Sequence, residues 1–124
     1  MIFGVGIDII EVERVAEKIG KENGFRELVF SQNEIDYCEK MANKYQHYAA
    51  RFAAKEAFFK ALGTGWKNGT AFNEVEIINN EQGKPEIFFT GQTAETIAQM
   101  NLNRMSVSLS HLKAIASAIV IIEN

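Results

Sequence analysis

Apolar positions change their spacing several times along this chain, and each change marks an element. Met1 to Ile7 is β-branched, aromatic or glycine and runs into a charged periodic stretch, a pattern that predicts a buried strand feeding a helix. In that helix Val12, Val15 and Ile19 recur at helical spacing beside Ala16, with Glu13, Arg14, Glu17, Lys18 and Lys21 facing away and Gly24 as the stop. Ser31 followed by Glu34 is a capping-box pattern, after which Ile35, Cys38, Met41, Ala42 and Tyr45 mark the apolar face of a second helix. A third helix is expected over His47 to Leu62 with Gly63 at its C-cap, followed by a turn at Asn68-Gly69. Glu74 to Ile78 and Glu86 to Phe89 read as a hairpin, Thr93 as the cap of a short helix to about Met100, and Met105 to Leu109 and Ala114 to Ile122 as two further strands around a His111 to Lys113 turn. The expectation is an α+β fold, an antiparallel sheet packed with helices, in one small domain over residues 1–124.

Composition narrows the function classes. The 124 residues are 47% hydrophobic and 23% charged, as in a chain with a packed core, and thirteen Lys and Arg against sixteen Asp and Glu give a net charge of −3. Whole-molecule attraction to nucleic acid or an anionic membrane is therefore not expected. Cys38 is the single cysteine, so no intramolecular disulfide is available, and no apolar run approaches the ~18–20 residues of a membrane span. MIFGVGIDII lacks the basic leader and cleavage site of a signal peptide. Together these predict a soluble, cytoplasmic protein.

Candidate chemistry concentrates in Arg51 to Gly65, RFAAKEAFFKALGTG. Apolar residues go nearly all the way round this helix, so it is expected to be largely buried, yet it carries Arg51, Lys55, Glu56 and Lys60. Arg51 with Lys55 and Glu56 with Lys60 form adjacent i,i+4 stripes, a face suited to anions; the plain alternative is a Glu56–Lys60 helix pair with two solvated cations. Asp8, one of only two aspartates, interrupts an apolar run where strand meets helix. It is either a helix cap or, with Glu56, one of two hard oxygen ligands suited to Mg²⁺, with Glu11 one turn on to orient the shell. Gly63-Thr64-Gly65 allows close backbone approach to a phosphate, and His111 with Lys113 offers donors to a phosphate, adenine or ribose edge; a C-cap glycine and a solvated histidine explain the same residues.

Three blocks, GIDIIEVERV at Gly6 to Val15, RFAAKEAFFKALGTG at Arg51 to Gly65 and SVSLSHLKAIASAIV at Ser106 to Val120, resemble the holo-acyl-carrier-protein synthases in order, spacing and chain length. The resemblance implies transfer of the 4′-phosphopantetheine arm of coenzyme A to a serine hydroxyl of an apo acyl carrier protein, with release of adenosine 3′,5′-bisphosphate, in support of fatty acid biosynthesis. It implies Asp8 and Glu56 as Mg²⁺ ligands and Lys60 as a cation near the diphosphate. Arg51, Lys55, Gly63, Thr64, Gly65, Ser110 and His111 fall in the blocks that match coenzyme A binding. Either Glu56 or a metal-bound water would deprotonate the serine. An acidic carrier protein would dock on the first helix at Arg14, Lys18 and Lys21; Gly24 stands where the family often has a basic residue, with Arg26 close by. Larger members of the superfamily hold two similar halves in one chain, so this length implies an oligomer that completes the site, and the resemblance to the short members implies a homotrimer with active sites at subunit interfaces. A coenzyme-binding module without transfer, and an interaction domain in which Glu56 and Lys60 are a structural pair, are the rival readings.

Overall fold

The computed structural model describes residues 1–65 and 69–124. The chain order is β1 (Ile2–Glu11), α1 (Val12–Gly20), α2 (Phe25–Val29), α3 (Gln32–Glu39), α4 (Lys44–Leu62), a single 3₁₀ turn (Phe72–Glu74), β2 (Val75–Asn79), β3 (Pro85–Phe89), α5 (Gly91–Ala98), β4 (Arg104–His111) and β5 (Ile115–Glu123). The α+β expectation holds, with two antiparallel sheets: a three-stranded sheet in the order β1-β5-β4 and the β2-β3 hairpin. Both chain ends enter the larger sheet, since β1 pairs with β5 from Ile2↔Glu123 through Asp8↔Ala118 to Glu11↔Ile115.

The organising element is α4. Six alanines and two adjacent phenylalanines are buried along it, so it lies inside the protein with the large sheet on one side and α1, α3 and β2 around the rest. Small residues on both partners let β1 approach it closely. A methyl group at Gly4 would overlap the Ala61 carbonyl, and one at Gly6 the Ala57 carbonyl. Because the obstruction is backbone, no rotamer change relieves it. Gly6→Ala is expected to lower stability by about 1–3 kcal/mol, read as a reduced denaturant midpoint, by forcing β1 off the helix.

Several local expectations change. The pairing with β5 carries β1 to Glu11, so Asp8 stands within the strand and does not cap α1; Glu11 occupies the N-cap position without a side-chain bond. The strand is not buried on both faces: Ile2, Phe3, Val5, Ile7 and Ile9 are 41–69% exposed, while Gly4 and Gly6 alternate with them onto α4. The first helix stops at Gly20, and Gly24, at φ 93°, opens the short helix α2 that the periodicity does not mark. The second helix ends at Glu39, where the Met41 amide tightens the last turn onto the Cys38 carbonyl, and Tyr45 belongs to α4. Thr93 lies inside α5, fully buried, where its hydroxyl donates to Glu74 Oε1 and accepts from the Ala71 amide. Of the expected Asn68-Gly69 turn, Asn68 lies outside the described residues.

The Ser31–Glu34 capping box is present in both directions: the Glu34 amide donates to Ser31 Oγ and the Ser31 amide to Glu34 Oε1. Glu34 does more than cap. Fully buried, it accepts Lys55 Nζ at 2.6 Å on Oε1 and the Ile77 amide at 2.9 Å on Oε2, tying α3 to α4 and β2. Among the described residues no helix is long and apolar enough to cross a membrane.

Candidate active site

Side chains alternate along β1, and the face that carries Gly4 and Gly6 also carries Asp8. The glycines bring that face against Ala61 and Ala57, so Asp8 arrives beside the next stretch of α4, where Glu56 and Lys60 project one helical turn apart. Lys60 Nζ donates to Asp8 Oδ1 at 2.8 Å and to the Ile7 carbonyl at 3.0 Å. The bond to Asp8 raises the Lys60 ammonium above its ordinary value, so this lysine stays protonated. Among the described residues Glu56 has no such partner. Partial burial, and after it the negative charge of Asp8, push its carboxyl up, while Lys60 and Lys18 pull it part of the way back. A carboxylate close enough to raise its neighbour's proton affinity forms with that neighbour a site that favours a cation.

Two open hollows flank this strand. One, of about 370 Å³, is bounded by Ile7, Asp8, Ile9, Lys60 and Ser117. The other, of about 270 Å³, has an apolar floor of Ile9, Val15 and Phe52 and a charged rim of Arg14, Lys18 and Glu11. The residues that carry negative charge and the basic face of α1 thus share the same edge of the molecule. Arg14 is 75% exposed and 4.0 Å from Glu11, and Lys18 lies over the Phe25 ring. Lys21, also exposed, caps the end of α1. Arg26 differs: it is held by Glu27 at 2.8 Å and by Glu39 at 3.5 Å, so its charge is already paired.

The remaining residues separate by burial. Arg51 is 2% exposed, with its guanidinium over the Tyr37 ring at 4.4 Å and a hydrogen bond to Asn79 Oδ1, and it borders a cleft of about 290 Å³. His111, at the end of β4, sits 2.8 Å from Gln46 Oε1, and Ser110 beside it is exposed. Gly63 closes α4 at φ 83°, and Gly63, Thr64 and Gly65 are all exposed, with Gly65 at φ 63°. Lys55 is the exception among the expected anion ligands. It is fully buried and donates to Glu34 Oε1, the Phe72 carbonyl and the Val75 carbonyl at 2.6–2.8 Å. All three of its protons are used inside the protein, and it does not share a surface with Arg51. Helical spacing puts the two on one stripe; the packing of α3 and β2 over that stripe encloses it.

Sequence reasoning missed Gly4 and Gly6, which let Asp8 reach α4, and Glu34, the buried partner of Lys55. The glycine alternation GVG ahead of an aspartate is the available signal, since a strand interior tolerates glycine poorly unless another backbone comes close.

A family model for the 4′-phosphopantetheinyl transferase superfamily matches residues 4–116. A holo-[acyl-carrier-protein] synthase of Cytophaga hutchinsonii is 48% identical over 124 residues, covering 98% of this chain and 97% of its own. Among solved structures, the holo-[acyl-carrier-protein] synthase of Neisseria meningitidis superposes with a TM-score of 0.92 at 30% identity, both chains being covered in full. A holo-(acyl-carrier-protein) synthase from Bacillus anthracis, solved in complex with CoA (3′,5′-ADP), gives 0.83 at 33% identity over 100% of this chain and 98% of that one.

Proposed function

This chain belongs to the 4′-phosphopantetheinyl transferase superfamily, as one of its holo-[acyl-carrier-protein] synthases, and we propose that residues 1–124 form one transferase domain that works in the cytoplasm with Mg²⁺. The substrates are coenzyme A and an apo acyl carrier protein, and the role is to supply carriers for fatty acid biosynthesis. The serine oxygen of the carrier forms a bond to the phosphorus next to the pantetheine, the bond to the remaining phosphate breaks, and adenosine 3′,5′-bisphosphate leaves. The observation that carries this reading is the placement of Asp8 beside Glu56 and Lys60.

Such a transfer asks for positioning and charge neutralisation more than for covalent chemistry. Asp8 and Glu56 fit Mg²⁺, which is commonly held by one or two carboxylates and completes its shell with waters and substrate phosphate. When bound, that ion would neutralise the diphosphate and strengthen its leaving group. Lys60 releases Asp8 or shares it, and its protonated ammonium meets the charge that develops on the departing phosphate. Glu56, which has no hydrogen-bond partner among the described residues, is the carboxylate of this site available to take up the serine proton. Arg51, Ser110, His111 and the Gly63 to Gly65 loop are the candidate contacts for the rest of coenzyme A.

The carrier protein docks on α1, through Arg14, Lys18 and Lys21, of which Arg14 and Lys18 rim the hollow floored by Ile9, Val15 and Phe52. Arg26 contributes less because Glu27 and Glu39 already hold it. Arg14→Glu is expected to raise KM for the carrier protein severalfold, more at low salt, and to leave KM for coenzyme A unchanged. An unaltered carrier KM would take Arg14 off the docking surface. The exposed row of Ile2, Val5, Ile7 and Ile9, with Ile115 and Ile119 of β5 on the same sheet, supports assembly as a homotrimer with sites at the subunit interfaces.

The deciding experiment is intact mass spectrometry of an apo acyl carrier protein incubated with this chain, coenzyme A and Mg²⁺, with an EDTA control. A gain of one phosphopantetheine that EDTA prevents is the expected result, and native mass spectrometry of the same enzyme reads the assembly. No gain with several apo carriers, despite coenzyme A binding, would favour a binding module.

A further inference from the structure

Beside the basic face of α1, the short helix α2 carries an arginine whose charge is divided between two unequal carboxylates. The Nε and Nη2 edge of the Arg26 guanidinium, which can take a carboxylate in fork geometry, donates to Glu27 Oε2 at 2.8 Å, while Nη1 lies 3.5 Å from Glu39 Oε2. Glu39 is anchored, because it accepts the hydroxyl of the buried Tyr48 at 2.6 Å and Lys44 Nζ at 3.2 Å. Glu27 has no such anchor: its side chain is 58% exposed, and among the described residues Arg26 is the only side chain that holds its carboxylate. An exposed pair of this kind is weak and readily exchanged. Arg26 adjoins Phe25, over whose ring Lys18 lies, so the pair continues the basic face of α1. An open hollow of about 360 Å³, with Gly24, Arg26, Glu27 and Lys44 in its lining, gives a side chain access to it.

We propose that Glu27 is a specificity residue that stands in for a carboxylate of the acyl carrier protein. On docking, Glu27 swings off the Nε and Nη2 edge of Arg26 and an acidic side chain of the carrier takes that edge, while Glu39 keeps Nη1 in place. The identity of the partner rests on the transferase reading; the exchange rests on the unequal anchoring of the two glutamates. A protein without a carboxylate at this point gains nothing from displacing Glu27 and is left facing the intact pair. Selection then falls on the partner's charge pattern and not on its net charge alone, because the released carboxylate must be matched by an incoming one.

Steady-state kinetics of the full chain with coenzyme A, Mg²⁺ and an apo acyl carrier protein at low ionic strength tests the exchange. Glu27→Gln removes the competing charge and is expected to lower KM for the carrier about threefold to tenfold, with KM for coenzyme A unchanged and the gain shrinking as salt is raised. Its unfolding midpoint should stay near the native value, since the side chain is exposed. Arg26→Gln should raise the carrier KM more in the Glu27→Gln background than in the native chain, because only there is the edge free from the start. A gain of the same size in the Arg26→Gln background would trace to net charge alone and overturn the exchange, as would an unchanged or raised carrier KM in Glu27→Gln; both results leave the transferase reading intact. A native chain that modifies no apo carrier would overturn both.

Discussion

Asp8→Asn and Glu56→Gln are each expected to reduce carrier-protein modification at ordinary Mg²⁺ by about a thousandfold or more, while circular dichroism and the cooperative unfolding transition persist. Each change removes one of two negative charges at nearly constant shape. The amide oxygen introduced by Asp8→Asn still accepts the Lys60 bond, so β1 stays on α4. The second variant carries a further signature. The carboxyl of Glu56 is raised in the folded protein, so folding opposes its ionised form, and this cost is present at neutral pH and disappears as pH falls. Glu56→Gln removes that cost at neutral pH. Stability should therefore hold or rise while activity collapses, the combination expected where function is bought with local strain in charge. A structural Glu56–Lys60 pair predicts the reverse, and full activity with a lowered unfolding midpoint would sink the metal assignment.

Lys55→Met is expected to cost about 3–5 kcal/mol of stability, because it leaves Glu34 charged and enclosed with one of its partners gone. Glu34→Gln should cost a comparable amount from the other side, and should also weaken the capping box and the Ile77 bond. The double variant should lose less than the sum of the two, since neither charge is then stranded. Chemical denaturation of the three proteins measures this directly. For those that remain folded in buffer, the affinity for coenzyme A should stay within a few-fold of the native value, because Lys55 presents no surface to a ligand. A Lys55→Met protein of native stability that had lost coenzyme A binding would restore Lys55 to the ligand set.

Local sequence is a sufficient guide where an element's partners lie within it. The capping box at Ser31 needs only residues three apart, and it stands as expected. The long helix ending at Gly63 also follows from local pattern, because the left-handed C-cap and the run of helix formers lie within one segment; only its start differs, at Lys44 instead of His47. The end of β1 escapes the local pattern for the opposite reason. Residues Asp8 to Glu11 stay extended because β5, more than a hundred residues later, supplies their partners. Likewise Thr93 does not cap α5: the helix starts at Gly91 with Thr90 at the N-cap, and the Thr93 amide and hydroxyl both donate to Glu74 Oε1, nineteen residues earlier.

The sequence by itself determined the α+β class, the family, and the residue types from which the site is built, since a buried helix bearing Lys, Glu and Lys, and an aspartate in an apolar strand, are costly unless they have a use. Tertiary structure decided which of those charges share the site. A helix that is apolar all round has no polar stripe to reveal which neighbour each charge meets, so the sequence puts Lys55 in the ligand set with Arg51, beside Glu56 and Lys60. Packing separated them: α3 and β2 close over Lys55, while the glycines of β1 bring Asp8 to Glu56 and Lys60 at the open edge.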